Sequence, residues 1–168
     1  GAARLIIEPL LKKGYPVGSG VPITLIGYSG GAQVAAGVAP YIKELLRAPV
    51  DLISLAGVIS ADPGLNDVRF LYHLAGSKDG VENIGAVMCP GRWPILPNSS
   101  WNRAKRAGKF TYVPMGPMTH SAYMLNMRCS GIWVRGAWTR VTVASRHSSP
   151  AATAGLSNRF STILASTR

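Results

Sequence analysis

The sequence predicts an α/β fold: a mostly parallel sheet of about four strands with flanking helices. Three observations predict it. Short, β-branched, nearly all-apolar runs alternate with helical segments, the pattern of parallel strands buried on both faces. The run Pro22–Ile26 leads directly into Gly27-Tyr28-Ser29-Gly30-Gly31 and then into a small-residue helical stretch. The composition is that of a packed domain, with 47% apolar and 15% charged residues among 168. A chain of that length suits one domain and buries roughly 70% of the surface that an unfolded chain exposes.

In chain order, 2–13 has helical apolar spacing (Leu5, Ile6, Leu10), with Lys12 and Lys13 at the end where cations suit the helix dipole. Pro9 inside it implies a kink or break. A glycine-rich loop, 14–20, precedes the first strand, 22–26. Helix resumes over 32–39, and Pro40 starts a second short helix, 41–47. Residues 51–60 read as the second strand, Ala61-Asp62-Pro63-Gly64 as a turn, and 69–75 as the third strand, ending at Gly76–Gly80. A Pro/Gly-rich loop follows (89–94). Asn98 caps a helix to about Ala107 that Gly108 closes. Residues 109–115 form the fourth strand, and Gly116–His120 the loop after it. Residues 1–127 are thus one domain. Residues 128–168 are a basic Ser/Arg/Ala-rich tail, poorly ordered, with one short strand at Val141–Val143.

The net charge of +11 is local. Residues 1–82 balance seven cations with seven acids, Glu82 is the last acid, and 83–168 carry eleven Lys or Arg. The charge is therefore a property of one half of the chain, and with six of those eleven at or beyond Arg128 rather than gathered in a patch on the core, no nucleic-acid partner is expected. Arg103, Lys105 and Arg106 read as a solvated helix face. Trp93, Trp101, Trp133 and Trp138 form no stacking series. No apolar run approaches the ~20 residues of a membrane span. Because the chain is expected to be N-terminally incomplete, this leaves open membrane association through an N-terminal part ahead of Gly1. Two cysteines, Cys89 and Cys129, make neither a disulfide framework nor a metal-ligand spacing, so no metal is expected. Compartment and oligomeric state are not set by these features.

Ser29 carries the chemistry. A serine hydroxyl is a weak nucleophile without an adjacent base. A tight strand-to-helix turn lifts its oxygen above the sheet and aims helix N-terminal amides at a developing oxyanion. The turn strains the nucleophile's backbone and requires small neighbours, here Gly27 and Gly31, around Tyr28 and Ser29. The N–H of Gly30 is one oxyanion donor. The base and acid follow Ser29 in loops after strands. His120, after the fourth strand, is the candidate base. His73 reads as a packed core histidine and His147 lies in the tail. Asp79, after the third strand, is the candidate acid and Asp62, after the second, the alternative. Both positions sit at strand C-termini, where α/β sheets place their sites. Met115, Met118, Met124 and Met127 flank His120 as core or as an adaptable apolar pocket.

Gly-Tyr-Ser29-Gly-Gly, Gly-Ser-Lys-Asp79-Gly and Met-Thr-His120-Ser resemble the nucleophile, acid and histidine loops of the α/β-hydrolase superfamily. Within it, the chain is most similar to lipase- or esterase-type members over residues 20–125. The resemblance implies a partial α/β-hydrolase fold and a Ser29-Asp79-His120 triad. It also implies a covalent acyl-enzyme on a small-molecule acyl substrate, and no cofactor. Two departures stand out. The family places several strands before the elbow strand, with the second oxyanion donor in a loop among them, and ends in a helix packed on the sheet. Here one helix precedes the elbow, and the tail does not read as that helix. The chain is therefore expected to be N-terminally incomplete, with an aberrant C-terminus and an open sheet edge. A catalytically inactive hydrolase-like interaction scaffold, or a fragment of one, is the alternative reading.

Overall fold

The computed structural model describes residues 1–126, 131–134 and 137–140, with side chains through residue 123. The elements are α1 (Ala2–Lys12), β1 (Ile23–Tyr28), α2 (Gly30–Leu46), β2 (Val50–Leu55), β3 (Val68–Ala75), α3 (Gly80–Met88), α4 (Ser100–Arg106), β4 (Phe110–Pro114), α5 (His120–Asn126), β5 (Gly131–Val134) and β6 (Ala137–Arg140). Short 3₁₀ turns occupy Pro63–Asn66 and Pro90–Arg92.

Four strands, β1 to β4, pair in parallel in chain order, flanked by helices. This is the α/β architecture that the apolar runs predict. Parallel neighbours need crossovers, and α2 and the α3–α4 segment supply two of them. β2 is buried along its whole length, which is why it reads as a continuous apolar run rather than an alternating one. One side of the sheet packs against α1 and α2 through Ile23, Leu25, Leu52, Leu71, Ile42 and Leu46. On the other side Ile53, Leu55, Leu74, Met115 and Tyr123 form a smaller cluster, with Met118 packed against it. Met115 and Met118 therefore serve as core.

Several expectations are corrected. α1 runs unbroken through Pro9 and α2 through Pro40. A proline inside a helix removes one hydrogen bond at a cost of about 3 kcal/mol. The buried stripe of α2 (Ala32, Ala35, Ala36, Ala39, Ile42, Leu46) offsets that cost. β2 ends at Leu55 rather than at residue 60, because Ala56 turns to φ 47°. The cap of α4 is Ser99, whose hydroxyl accepts from Asn102 N–H, not Asn98. Residues 80–88 form α3, where no helix was expected.

Two strands, β5 and β6, lie within the segment read as a tail. They form an antiparallel pair, and β5 adds to β1 to make the sheet order β4-β3-β2-β1-β5-β6. The β1 edge is therefore paired, not open. The strand expected at Val141–Val143, and the rest of the tail with His147, lie outside the described residues. Among the described residues no helix is long and apolar enough to cross a membrane.

Candidate active site

The C-terminal ends of β1, β3 and β4 open on one edge of the sheet. Ser29 follows β1 directly, at φ 51° and ψ −126°. A non-glycine residue in this region costs on the order of 1–3 kcal/mol, and such strain collects at functional sites. The turn is held from both sides. Ser29 N–H donates to the Leu55 carbonyl at 2.9 Å, and the Ser29 carbonyl accepts from Ala32 N–H at 3.1 Å and Val58 N–H at 3.3 Å. Gly27 makes the turn sterically feasible: a Cβ there would lie 2.5 Å from the Cα and N of Ala32. Gly31 is different. A Cβ on it meets nothing within 4 Å, so the steric role expected of Gly31 is not supported. Gly30 is the first residue of α2, and its N–H, like those of any first helical turn, has no carbonyl to accept it within the helix.

Asp79 is the N-cap of α3. Its Oδ1 accepts from Val81 N–H and Glu82 N–H at 3.0 Å each, and the residue is wholly buried. An aspartate at this position is both a helix cap and a fixed carboxylate beside a helix N-terminus.

His120 begins α5 after β4. Three strand spacings of ~4.8 Å separate β4 from β1, about 14 Å, so the loop after β4 must turn back over the sheet edge. Gly116, at φ 72°, makes the turn. Gly76 lets the loop cross, since a Cβ on Gly76 would lie 2.1 Å from the Met118 carbonyl oxygen. Ser77 N–H donates to the Gly116 carbonyl at 2.8 Å, fastening the crossing. At the far end the Tyr28 hydroxyl donates to the His120 carbonyl at 3.1 Å, and the two rings lie 5.1 Å apart. Burial, with the Asp79 charge second, pushes the Tyr28 phenol up, so it remains a donor.

This path brings the three residues together. His120 Nδ1 lies 3.0 Å from both carboxylate oxygens of Asp79. His120 Nε2 lies 3.0 Å from Ser29 Oγ. A carboxylate only accepts, so Nδ1 carries the proton and the Nε2 lone pair faces the Ser29 hydroxyl. The imidazole is partly open to solvent, with its side chain 19% exposed over a fully buried acid.

Asp62 is not part of this group. It caps the 3₁₀ turn through Gly64 N–H at 2.8 Å and accepts from Gln33 Nε2 at 2.7 Å. His73 is buried at 1% exposure, as its mid-strand position predicts. The basic residues of α4 are engaged within the chain. Arg103 donates to Asn66, Arg106 to the Pro97 carbonyl, and the Lys105 ammonium lies 5.3 Å from the centre of the Phe110 ring. A cavity of about 730 Å³ sits beside α4 and β4, and none of Ser29, Asp79 or His120 lines it.

Two contributions escaped the sequence reading. The crossing at Gly76 was visible only as a turn glycine. A buried chain, Ser54–His73–Glu82–Arg92, joins residues separated by nineteen and nine positions at its first two links, and no spacing rule marks it. No protein-family model, curated protein or solved structure matches the chain.

Proposed function

We propose that the protein is a serine hydrolase of the α/β-hydrolase type, acting on an ester or related acyl bond. The observation that carries this reading is the unbroken chain from Ser29 Oγ through His120 to Asp79, with each step at 3.0 Å. In the first half-reaction Ser29 Oγ attacks the acyl carbon and its proton passes to His120 Nε2. The imidazolium gives that proton to the leaving oxygen, and the acyl group stays on Ser29. Water then attacks the acyl carbon as its proton passes to Nε2, and the imidazolium returns that proton to Ser29 Oγ as the acyl–oxygen bond breaks and the acid leaves. Asp79 holds the Nδ1–H tautomer and stabilises the imidazolium. The N–H of Gly30 donates to the oxyanion. No cofactor enters these steps.

A second reading, a hydrolase-like scaffold without catalysis, has one observation in its favour. The strand beside β1, on the side away from β2, is β5, which comes from late in the chain. The superfamily places earlier strands there, and the second oxyanion donor on one of their loops. Hydrolysis of p-nitrophenyl acetate decides between the readings. An active triad gives turnover that Ser29→Ala and His120→Gln each remove. Equal rates in the three folded proteins would favour the scaffold.

A further inference from the structure

A second serine–histidine–carboxylate chain lies beneath the first. Ser54 Oγ is 2.9 Å from His73 Nδ1, and His73 Nε2 is 3.0 Å from Glu82 Oε1. The same Glu82 oxygen accepts from Arg92 at 2.8 Å. Ser54 and His73 are 0% and 1% exposed, so the Ser54 hydroxyl is closed off from solvent, while His73, Glu82 and Arg92 line the inner wall of the cavity beside α4. Buried polar groups in such numbers are costly unless paired, and a paired network rigidifies what it joins. Ser54 Oγ, both His73 nitrogens, Glu82 Oε1 and Arg92 Nη2 are paired, while Arg92 Nη1 has no hydrogen-bond partner among the described residues.

What it joins are the two ends of the candidate active site. Glu82 sits in the first turn of α3, and its N–H donates to Asp79 Oδ1, the oxygen that also faces His120. The Glu82 side chain, tied to β3 through His73, therefore fixes the turn that holds Asp79. At the other end Ser54 lies under the loop after β2. That loop closes over it so tightly that a Cβ on Gly57 would lie 2.0 Å from Ser54 Oγ. The same loop sends Val58 N–H to the Ser29 carbonyl. His73 is wedged in place by Trp101, edge-on at 5.8 Å, and by Phe110 at 5.9 Å.

We infer that Ser54, His73 and Glu82 are positioning residues, a buried brace that sets the carboxylate of Asp79 and the elbow of Ser29 in mutual register. As a role in catalysis this rests on the serine-hydrolase reading. The geometric claim, that the brace sets the His120–Asp79 hydrogen bond, does not. A displacement of about 1 Å in such a constellation costs on the order of 10²-fold in rate.

The test compares wild type, Glu82→Ala, Glu82→Gln and Ser54→Ala, each shown to be folded by near-ultraviolet circular dichroism. Two quantities are read: the rate of Ser29 acylation by a fluorophosphonate, and the low-field proton resonance of His120 Nδ1–H. Glu82→Ala is expected to slow acylation ten- to a hundredfold and to shift the resonance. Glu82→Gln retains an Oε1 that accepts from both His73 and Arg92, and is expected to recover most of the rate. A folded Glu82→Ala protein with wild-type rate and resonance overturns the brace. Should that variant fail to fold, Ser54→Ala decides: a severalfold slowing with a shifted resonance supports the brace, and wild-type values overturn it. Should wild type itself resist acylation, the hydrolase reading fails. The resonance still judges the brace, upheld if the folded variants shift it and overturned if they leave it in place.

Discussion

Replacing Gly27 by alanine places a methyl carbon 2.5 Å from the Cα and N of Ala32 and 2.6 Å from the Gly31 carbonyl oxygen. All three are backbone atoms, so no side chain can rotate away. Carbon contacts settle at about 3.5–4.0 Å, and β1 and the start of α2 must therefore part by about 1 Å. Ser29 sits in the turn between them. A shift of that size costs about 10²-fold in a rate that depends on Ser29 meeting His120. Overpacking of this kind also destabilises by about 1–3 kcal/mol. Gly31→Ala is the control. Its added methyl meets nothing within 4 Å, and exchanging glycine for alanine in a helix gains up to about 1 kcal/mol. The assay is the rate of fluorophosphonate labelling, with thermal melting alongside. Gly27→Ala should label about a hundredfold more slowly and melt several degrees lower. Gly31→Ala should label within a few-fold of wild type and melt no lower. Equal losses in both variants, or none in either, would refute the steric argument.

Asp79→Asn should reduce labelling by about 10³- to 10⁴-fold, since the amide favours the wrong imidazole tautomer. It should stay folded, because asparagine also caps helices; Asp62→Asn should leave labelling unchanged. Ser29→Gly should melt above Ser29→Ala by about 1–3 kcal/mol of stability, because only glycine relieves the φ of 51°; equal melting temperatures would argue against strain at the elbow. The hydrogen bond from His73 first, with Arg92 assisting, holds the Glu82 carboxyl at about 2, below the ordinary 4.5, despite burial. A lowered carboxylate contributes stability that is fully present above its unfolded value and is lost as pH falls through the folded one. Wild type should therefore lose melting temperature between about pH 4.5 and 2 more steeply than Glu82→Gln, and parallel curves would contradict that assignment. Tyr123 is wholly buried, and its hydroxyl has no partner among the described residues. Tyr123→Phe should be neutral or stabilising by about 1 kcal/mol in denaturant melts.

The parts of the fold that were legible are those where one physical demand dominates the residue choice. The β1 run and the glycines around Ser29 leave little alternative to a strand, a tight turn and a helix. Asp79 and His120 were findable because each follows a strand at its C-terminal end. Helix α3 was not legible. It contains Gly80 and Gly85, and it leaves Ile84, Val87 and Met88 60%, 68% and 72% exposed, so it shows no apolar stripe facing a core. Its start was written in Asp79, but that residue serves as cap and carboxylate at once. Pro40 misled for the opposite reason: tertiary burial of α2 overrides a local breaker. The Ser54–His73–Glu82 chain unites three segments by contacts that have no periodicity, and the crossing at Gly76 depends on a backbone approach that only coordinates reveal. The β5–β6 pair lies where an acid-free, Ser- and Arg-rich composition masks two four-residue strands.

The central claim is that Ser29 is an activated nucleophile, and a covalent adduct tests it most directly. Folded protein is treated with a fluorophosphonate, digested and mapped by mass spectrometry. The triad predicts a single adduct on Ser29, absent in Ser29→Ala and strongly slowed in His120→Gln. Folded protein that takes no adduct, or takes it on another serine, would contradict the account.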